Sequence, residues 1–189
     1  MRRLFAIGCL IILLSSCNDT SKSQQVIPND TASTKNILND TVVPNPPPIT
    51  AGNIDPDSIV AFARTLQGIP YLYASTDPSK GFDCSGFITY VFNHFNMKVS
   101  RSSVDFTNYG KDITEAEARP GDLILFTGTD STIRIVGHMG IVESIQNDTL
   151  HFIHSTSGKG YGVVITPFAN YYRSRFVKLI RVFPDQYFE

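Results

Sequence analysis

Pro120-Gly121-Asp122-Leu123-Ile124-Leu125-Phe126 is the stretch where the chain changes period. Pro-Gly-Asp is a turn signal, because proline presets φ and glycine accepts left-handed backbone. It feeds a continuous apolar run of strand length. Beyond it, residues 137–145, 149–155 and 163–165 read as strands, 168–176 as a short helix and 177–182 as a last strand. Before it, the apolar period is helical. Asp55-Pro56 pairs an N-cap aspartate with a proline at the first helical position. Ile59, Val60, Ala63 and Leu66 follow at helical spacing, and Gly68 and Pro70 end that helix. A second helix starts near Asp83, with Phe87, Ile88, Val91, Phe92 and Phe95 on one broad apolar face. A shorter helix begins near Ser102 and runs towards Gly110. Helices first and hairpin-connected strands after predict an α+β fold with an antiparallel sheet.

Cys84 stands at the mouth of the second helix. A free thiol is only a few per cent thiolate at neutral pH, but unpaired backbone N–H groups and the helix dipole favour the anion. This predicts an activated nucleophile, with Ser85 and Gly86 leaving the sulfur accessible. A structural buried cysteine is the alternative. The partner base is a histidine, of which there are four. His94 lies about 15 Å from Cys84 along the same helix, out of reach, and reads as a surface or structural residue. His138, His151 and His154 lie on one predicted hairpin with its turn near Gln146-Asn147-Asp148. Gly137 and Gly140 give clearance around His138. An odd-length loop places His154 opposite residue 140 or 142, on the face of His138 and about 7–13 Å from it, with His151 on the other face. An even loop puts His151 on that face instead, about 20 Å away. His154 is therefore the candidate to orient His138, provided the loop is odd. A Cys/His/His zinc site lacks the paired-cysteine spacing of such centres, and neither a metal nor a cofactor is expected.

The rest of the chain carries its address. Of 189 residues 17% are charged and the net charge is −1; from residue 55 onward 12 lysines and arginines face 14 acidic residues. No basic footprint for nucleic acid exists. Three cysteines cannot form a fully paired framework. Arg2 and Arg3 precede an apolar run from Leu4 to Leu14, too short to span a bilayer, so residues 1–16 read as a signal peptide. Leu14-Ser15-Ser16-Cys17 resembles the lipobox of bacterial lipoproteins. The resemblance implies cleavage before Cys17 and its lipidation, with Cys9 discarded. More than one acyl chain makes a stable membrane anchor. Residues 18–54 are polar and Pro-rich, ending in Pro46-Pro47-Pro48. They read as a disordered tether, with a root-mean-square span of about 33 Å and an extended limit of about 120 Å. The catalytic unit is residues 55–189, expected to be a monomer.

The domain resembles the NlpC family of bacterial cell-wall cysteine peptidases, a papain-like group. Six blocks carry the likeness in order: Gly68-Ile69-Pro70-Tyr71, Gly81-Phe82-Asp83-Cys84-Ser85-Gly86-Phe87, Arg101-Ser102-Ser103, Pro120-Gly121-Asp122-Leu123, Gly137-His138-Met139-Gly140-Ile141 and Phe152-Ile153-His154. The resemblance implies hydrolysis of peptidoglycan stem peptides, at the bond between γ-D-glutamate and a diamino acid such as meso-diaminopimelate. It implies Cys84 as nucleophile, His138 as general base, His154 as its orienting group and Tyr71 as a hydrogen-bonding group at the oxyanion. It places Asp83, Ser85, Arg101 and Ser102 along the substrate groove, where an aspartate suits a free amine and an arginine or serine a carboxylate. It also implies a cell-envelope location, anchored through acylated Cys17 on the periplasmic side of an outer membrane. The family's usual Gly-Gly after Tyr71-Leu72-Tyr73 is here Ala74-Ser75. A non-catalytic peptidoglycan-binding lipoprotein, or an amidase or acyltransferase of the same superfamily, are the competing readings. An acyltransferase requires an apolar channel; these groove residues predict a polar one.

Overall fold

The computed structural model describes residues 53–188. The expected signal peptide, the lipidation expected at Cys17 and all but the end of the expected tether lie outside the described residues. Ile54, assigned to the tether by its composition, packs against the core.

Helix α1 (Pro56–Thr65) starts as its capping signal predicts, with Asp55 accepting from the N–H of Asp57 at 3.0 Å. Ile59, Val60 and Ala63 are its buried stripe. Two short strands, β1 (Thr76–Asp77) and β2 (Gly81–Phe82), pair antiparallel and lead into helix α2 (Cys84–His94). The short helix expected after Ser102 is a 3-10 segment, Ser103–Asn108. Strands β3 (Lys111–Ile113), β4 (Leu123–Thr127), β5 (Val136–Gln146), β6 (Thr149–Thr156) and β7 (Gly162–Pro167) follow, then helix α3 (Asn170–Arg175) and strand β8 (Phe176–Arg181). Strands β3 to β8 form one antiparallel sheet in the order β3-β8-β4-β5-β6-β7. The β1–β2 pair and β3 had no sequence signal strong enough to mark them, because strands of two or three residues have no period.

The sheet buries both faces. Leu123, Leu125, Met139, Ile141, Ile153 and Ile180 join Phe87, Ile88, Val91 and Phe92 of α2 in one cluster. Ile124, Phe126, Val142, Leu150, Phe152, Phe168 and Leu179 form a second on the opposite face, with Tyr172 and Phe176 against it. This is why β4 reads as a continuous apolar run rather than an alternating one: every residue of it is buried.

Candidate active site

Asp83 caps α2 by accepting from the Gly86 N–H at 2.7 Å. A Cβ at Gly86 would stand 2.0 Å from the Ser75 carbonyl oxygen, so the loop carrying Ala74-Ser75 lies directly on the first helical turn beneath Cys84. Ala74 holds φ at +57°. The loop thus keeps left-handed backbone at a position where glycine is favoured. Tyr71 bridges to Phe82 and lines the same space as Cys84.

The Cys84 sulfur lies 3.9 Å from the Gly137 carbonyl oxygen. Burial raises its pKa, and so does the neighbouring Asp83 carboxylate; the N–H groups of Ser85, Met139 and Cys84 itself oppose them, and the thiol is pushed up to about 11. Desolvation thus works against the thiolate expected from the helix N-terminus, and the backbone N–H groups offset only part of it. Burial also raises the Tyr71 phenol, with smaller contributions from Cys84 and Asp83.

His138 and His154 meet in the sheet. Nε2 of His138 and Nδ1 of His154 are 2.8 Å apart, and Nε2 of His154 is 2.9 Å from Oγ1 of Thr166 on β7. Their rings pack against Phe126, Phe152 and Tyr172. One proton arrangement satisfies the whole chain and leaves a base. In it His138 Nε2–H donates to His154 Nδ1, His154 Nε2–H donates to Thr166 and His138 Nδ1 is free; the reverse arrangement, with the Thr166 hydroxyl as donor, makes the same two bonds but puts the proton on His138 Nδ1. Burial, then the Arg175 cation, pulls His138 down to about 3; burial, His138 and Arg175 hold His154 well below its ordinary value.

The pairing arises by a route the loop-parity argument did not contain. The turn is even, not odd: Gln146 pairs with Thr149 around Asn147 and Asp148, both at positive φ (49° and 58°), the geometry of a type I′ turn. Continued regularly, that register would set His154 opposite Ile141. A β-bulge at Glu143 adds one residue to β5, so Ile141 pairs with Ile153 and His154 falls opposite Gly140. The Glu143 side chain is bound by Arg64 of α1, whose Nε donates to Oε1 at 2.6 Å. Gly140 leaves room for the His154 ring, since a Cβ there would lie 2.7 Å from Phe152 and 3.1 Å from the His154 Cβ. His151 lies on the other face, its Nδ1 3.1 Å from the Thr149 carbonyl. His94 stacks on Phe62 at 3.7 Å, far from the site.

Asp83, Ser85, Arg101 and Ser102 line a second cavity that shares Tyr71, Cys84 and Gly137 with the first. Arg101 clamps Asp83 with both terminal nitrogens (3.0 and 2.5 Å) and reaches Ser85 Oγ at 2.9 Å. Asp83, expected to face a free amine, and Arg101, expected to face a carboxylate, are thus paired with each other in the cavity wall. Two further residues belong to the site: Thr166, which ends the histidine chain, and Arg175, a buried residue in the cavity wall beside His138. Neither residue type carries a local signal; only the β6–β7 pairing and the turn of α3 bring them in. Among the described residues, no group of three or more His, Cys, Asp or Glu side chains is placed to hold a metal. A thiol, an imidazole with one free nitrogen and converging N–H groups can together perform acyl transfer through a thioester.

The chain is similar to known proteins over this same region. It is 29% identical over 139 residues to a gamma-DL-glutamyl hydrolase of Bacillus subtilis, covering 72% of this chain and 32% of that one. It is 37% identical over 111 residues to a probable endopeptidase of Haemophilus influenzae, covering 57% and 62%. The crystal structure of an NlpC/P60 family protein from Bacillus cereus aligns with a TM-score of 0.60 at 26% identity, over 69% of this chain and 41% of that one. The chain thus spans less than two thirds of the length of each of these relatives. The family model for NlpC/P60 matches residues 68–181, from the turn before Tyr71 to the end of β8, and the chain belongs to the NlpC/P60 family.

Proposed function

We propose that this protein is a lipid-anchored cysteine endopeptidase that hydrolyses peptidoglycan stem peptides at the γ-D-glutamyl-diaminopimelate bond. The observation that carries the reading is the buried His138–His154–Thr166 chain in the wall of the cavity that Cys84 also lines; in the reading, His138 is neutral and its Nδ1 is the base. As the sulfur attacks the carbonyl carbon, His138 Nδ1 takes the thiol proton, since a resting thiolate is disfavoured. The Cys84 N–H and the Tyr71 hydroxyl stand by the developing oxyanion. The C–N bond breaks as His138 returns the proton to the leaving amine. Water, deprotonated by His138, then releases the acyl group from sulfur. His154 and Thr166 hold the His138 tautomer throughout. Asp83, Ser85, Arg101 and Ser102 form the wall on the acyl side, and the charged and hydroxyl-bearing walls favour a peptide over an acyl chain. Acylation of Cys17 would hold the domain at the periplasmic side of the outer membrane, with the segment before residue 53 as its reach.

The test is digestion of purified sacculi with the full-length protein beside Cys84→Ala, with products identified by mass spectrometry. New amino termini at diaminopimelate, seen with the wild type and absent with the variant, are the expected result. Identical product profiles would refute the activity.

A further inference from the structure

The two cavities that meet at Cys84 carry opposite charge. The one holding His138, about 850 Å³, has Lys159 and Arg175 in its walls and no aspartate or glutamate. The other, about 660 Å³, has Asp83 and Asp105 against a single Arg101. Chemistry tells which is which. The leaving amine must receive its proton from His138, so the residue on the amine side of the scissile bond occupies the cavity that contains His138.

Within that cavity the two cations are not equivalent. Arg175 is consumed by the fold: Nε donates to the Gly128 carbonyl at 2.8 Å, Nη2 to the Thr127 carbonyl at 2.8 Å and Nη1 to the Tyr171 hydroxyl at 2.5 Å. Lys159 is exposed, and among the described residues its ammonium has no hydrogen bond or ion pair. The loop that holds it is shaped. The Tyr161 N–H donates to the Gly158 carbonyl at 2.9 Å across Lys159 and Gly160, and the Gly158 N–H donates to Thr156 Oγ1 at 3.0 Å. A Cβ at Gly160 would press on both Val164 methyls, at 3.0 and 3.1 Å, so the loop lies close on β7. A wall with positive charge and no acid favours a carboxylate and disfavours a lone ammonium.

We propose that Lys159 is a specificity-determining residue that receives a carboxylate of the amine-side residue. Stems whose diamino acid bears a distal carboxylate are then preferred to stems with lysine at that place. The proposal rests on the peptidase reading above. The preference expected from one exposed ion pair is about fivefold in kcat/KM.

The experiment uses the full-length protein and two synthetic tripeptides, L-Ala-γ-D-Glu followed by meso-diaminopimelate or by L-Lys. The α-carboxyl of the third residue is amidated in both, so that only the distal carboxylate differs. The wild type should prefer the diaminopimelate peptide about fivefold. Lys159→Gln should bring the ratio near one, Lys159→Arg should restore it, and Lys159→Glu should turn it towards lysine. Cleavage of both peptides with the same ratio in the wild type and in Lys159→Gln overturns this proposal alone. No cleavage of either peptide by the wild type removes the peptidase reading and this proposal with it.

Discussion

At the scale of single residues, the site depends on a proton held in one place. His154→Ala would leave the buried His138 Nε2–H without its acceptor and free the ring to turn. It is expected to lower kcat about 100-fold with little change in KM, whereas His154→Gln, whose amide oxygen can still accept, should lose less. Steady-state kinetics on purified muropeptides distinguishes them. The same histidines make the fold acid-sensitive. In the unfolded chain an imidazole titrates near 6.5, while His138 is held at about 3. As pH falls below 6.5 the unfolded state binds protons that the folded state refuses, so stability declines down to about pH 3 and is untouched above 6.5. At pH 5 the cost from His138 alone is about 2 kcal/mol. Denaturant midpoints at pH 7.5 and pH 5 should show this loss, and His138→Gln should show less of it; equal midpoints in the wild type would contradict it. Cys84 and His138 were legible in the sequence, one by its place after an N-cap aspartate and the other by its flanking glycines. The state of the thiol was not, because the helix dipole can be read from a sequence and desolvation cannot.

At the scale of elements, the β5–β6 hairpin is the part that sequence reasoning half resolved. His154 was identified as the partner of His138, but through an odd loop that does not exist. Asn147-Asp148 is a two-residue turn, and the parity is supplied by Glu143. A bulge has no strong local signature. It arises where the register set by a turn conflicts with the register set by the buried faces, and only the folded sheet shows both. Gly140 is the exposed point of this arrangement. Gly140→Ala would drive a methyl against Phe152 and the His154 Cβ. It should cost about 1–3 kcal/mol of stability and lower kcat further than that loss explains, by parting the two rings. Activity measured well below the unfolding transition, beside a melting curve, separates the two effects. Full activity in a folded Gly140→Ala would show that the rung need not be so tight.

At the scale of the whole molecule, one buried pair ties the sheet centre to its late strand. Arg181 of β8 grips Asp122, just before β4, at 2.9 Å from both Nε and Nη2, and Asp122 also accepts from the Arg119 N–H at 2.8 Å. Asp122 is fully buried, and burial raises its pKa despite the guanidinium. In the sequence Asp122 shows only as a turn residue, since nothing local announces a partner 59 residues away. Removing one partner leaves a buried charge alone. Arg181→Met should therefore destabilise by about 3 kcal/mol, and adding Asp122→Leu should recover part of the loss. Urea denaturation of the three proteins measures both steps. The α+β class itself was open to reading, because the long helices α1 and α2 precede Pro120 and the five longest strands follow it; only short strands and the short helix α3 cross that boundary.

Between Gly140 and His154 lie 13 residues, ten of them in paired rungs, two in the turn and one in the bulge. What holds the two histidines face to face is that this number is odd. Where the unpaired residue sits does not matter to them. Moving it from position 143 into the turn, as a three-residue tip on a regular ladder, would preserve the histidine contact and give up only the Arg64 anchor. The hairpin tip can thus change length and shape as a unit, by trading residues with its own strand, while the chemistry at its base keeps the same partners.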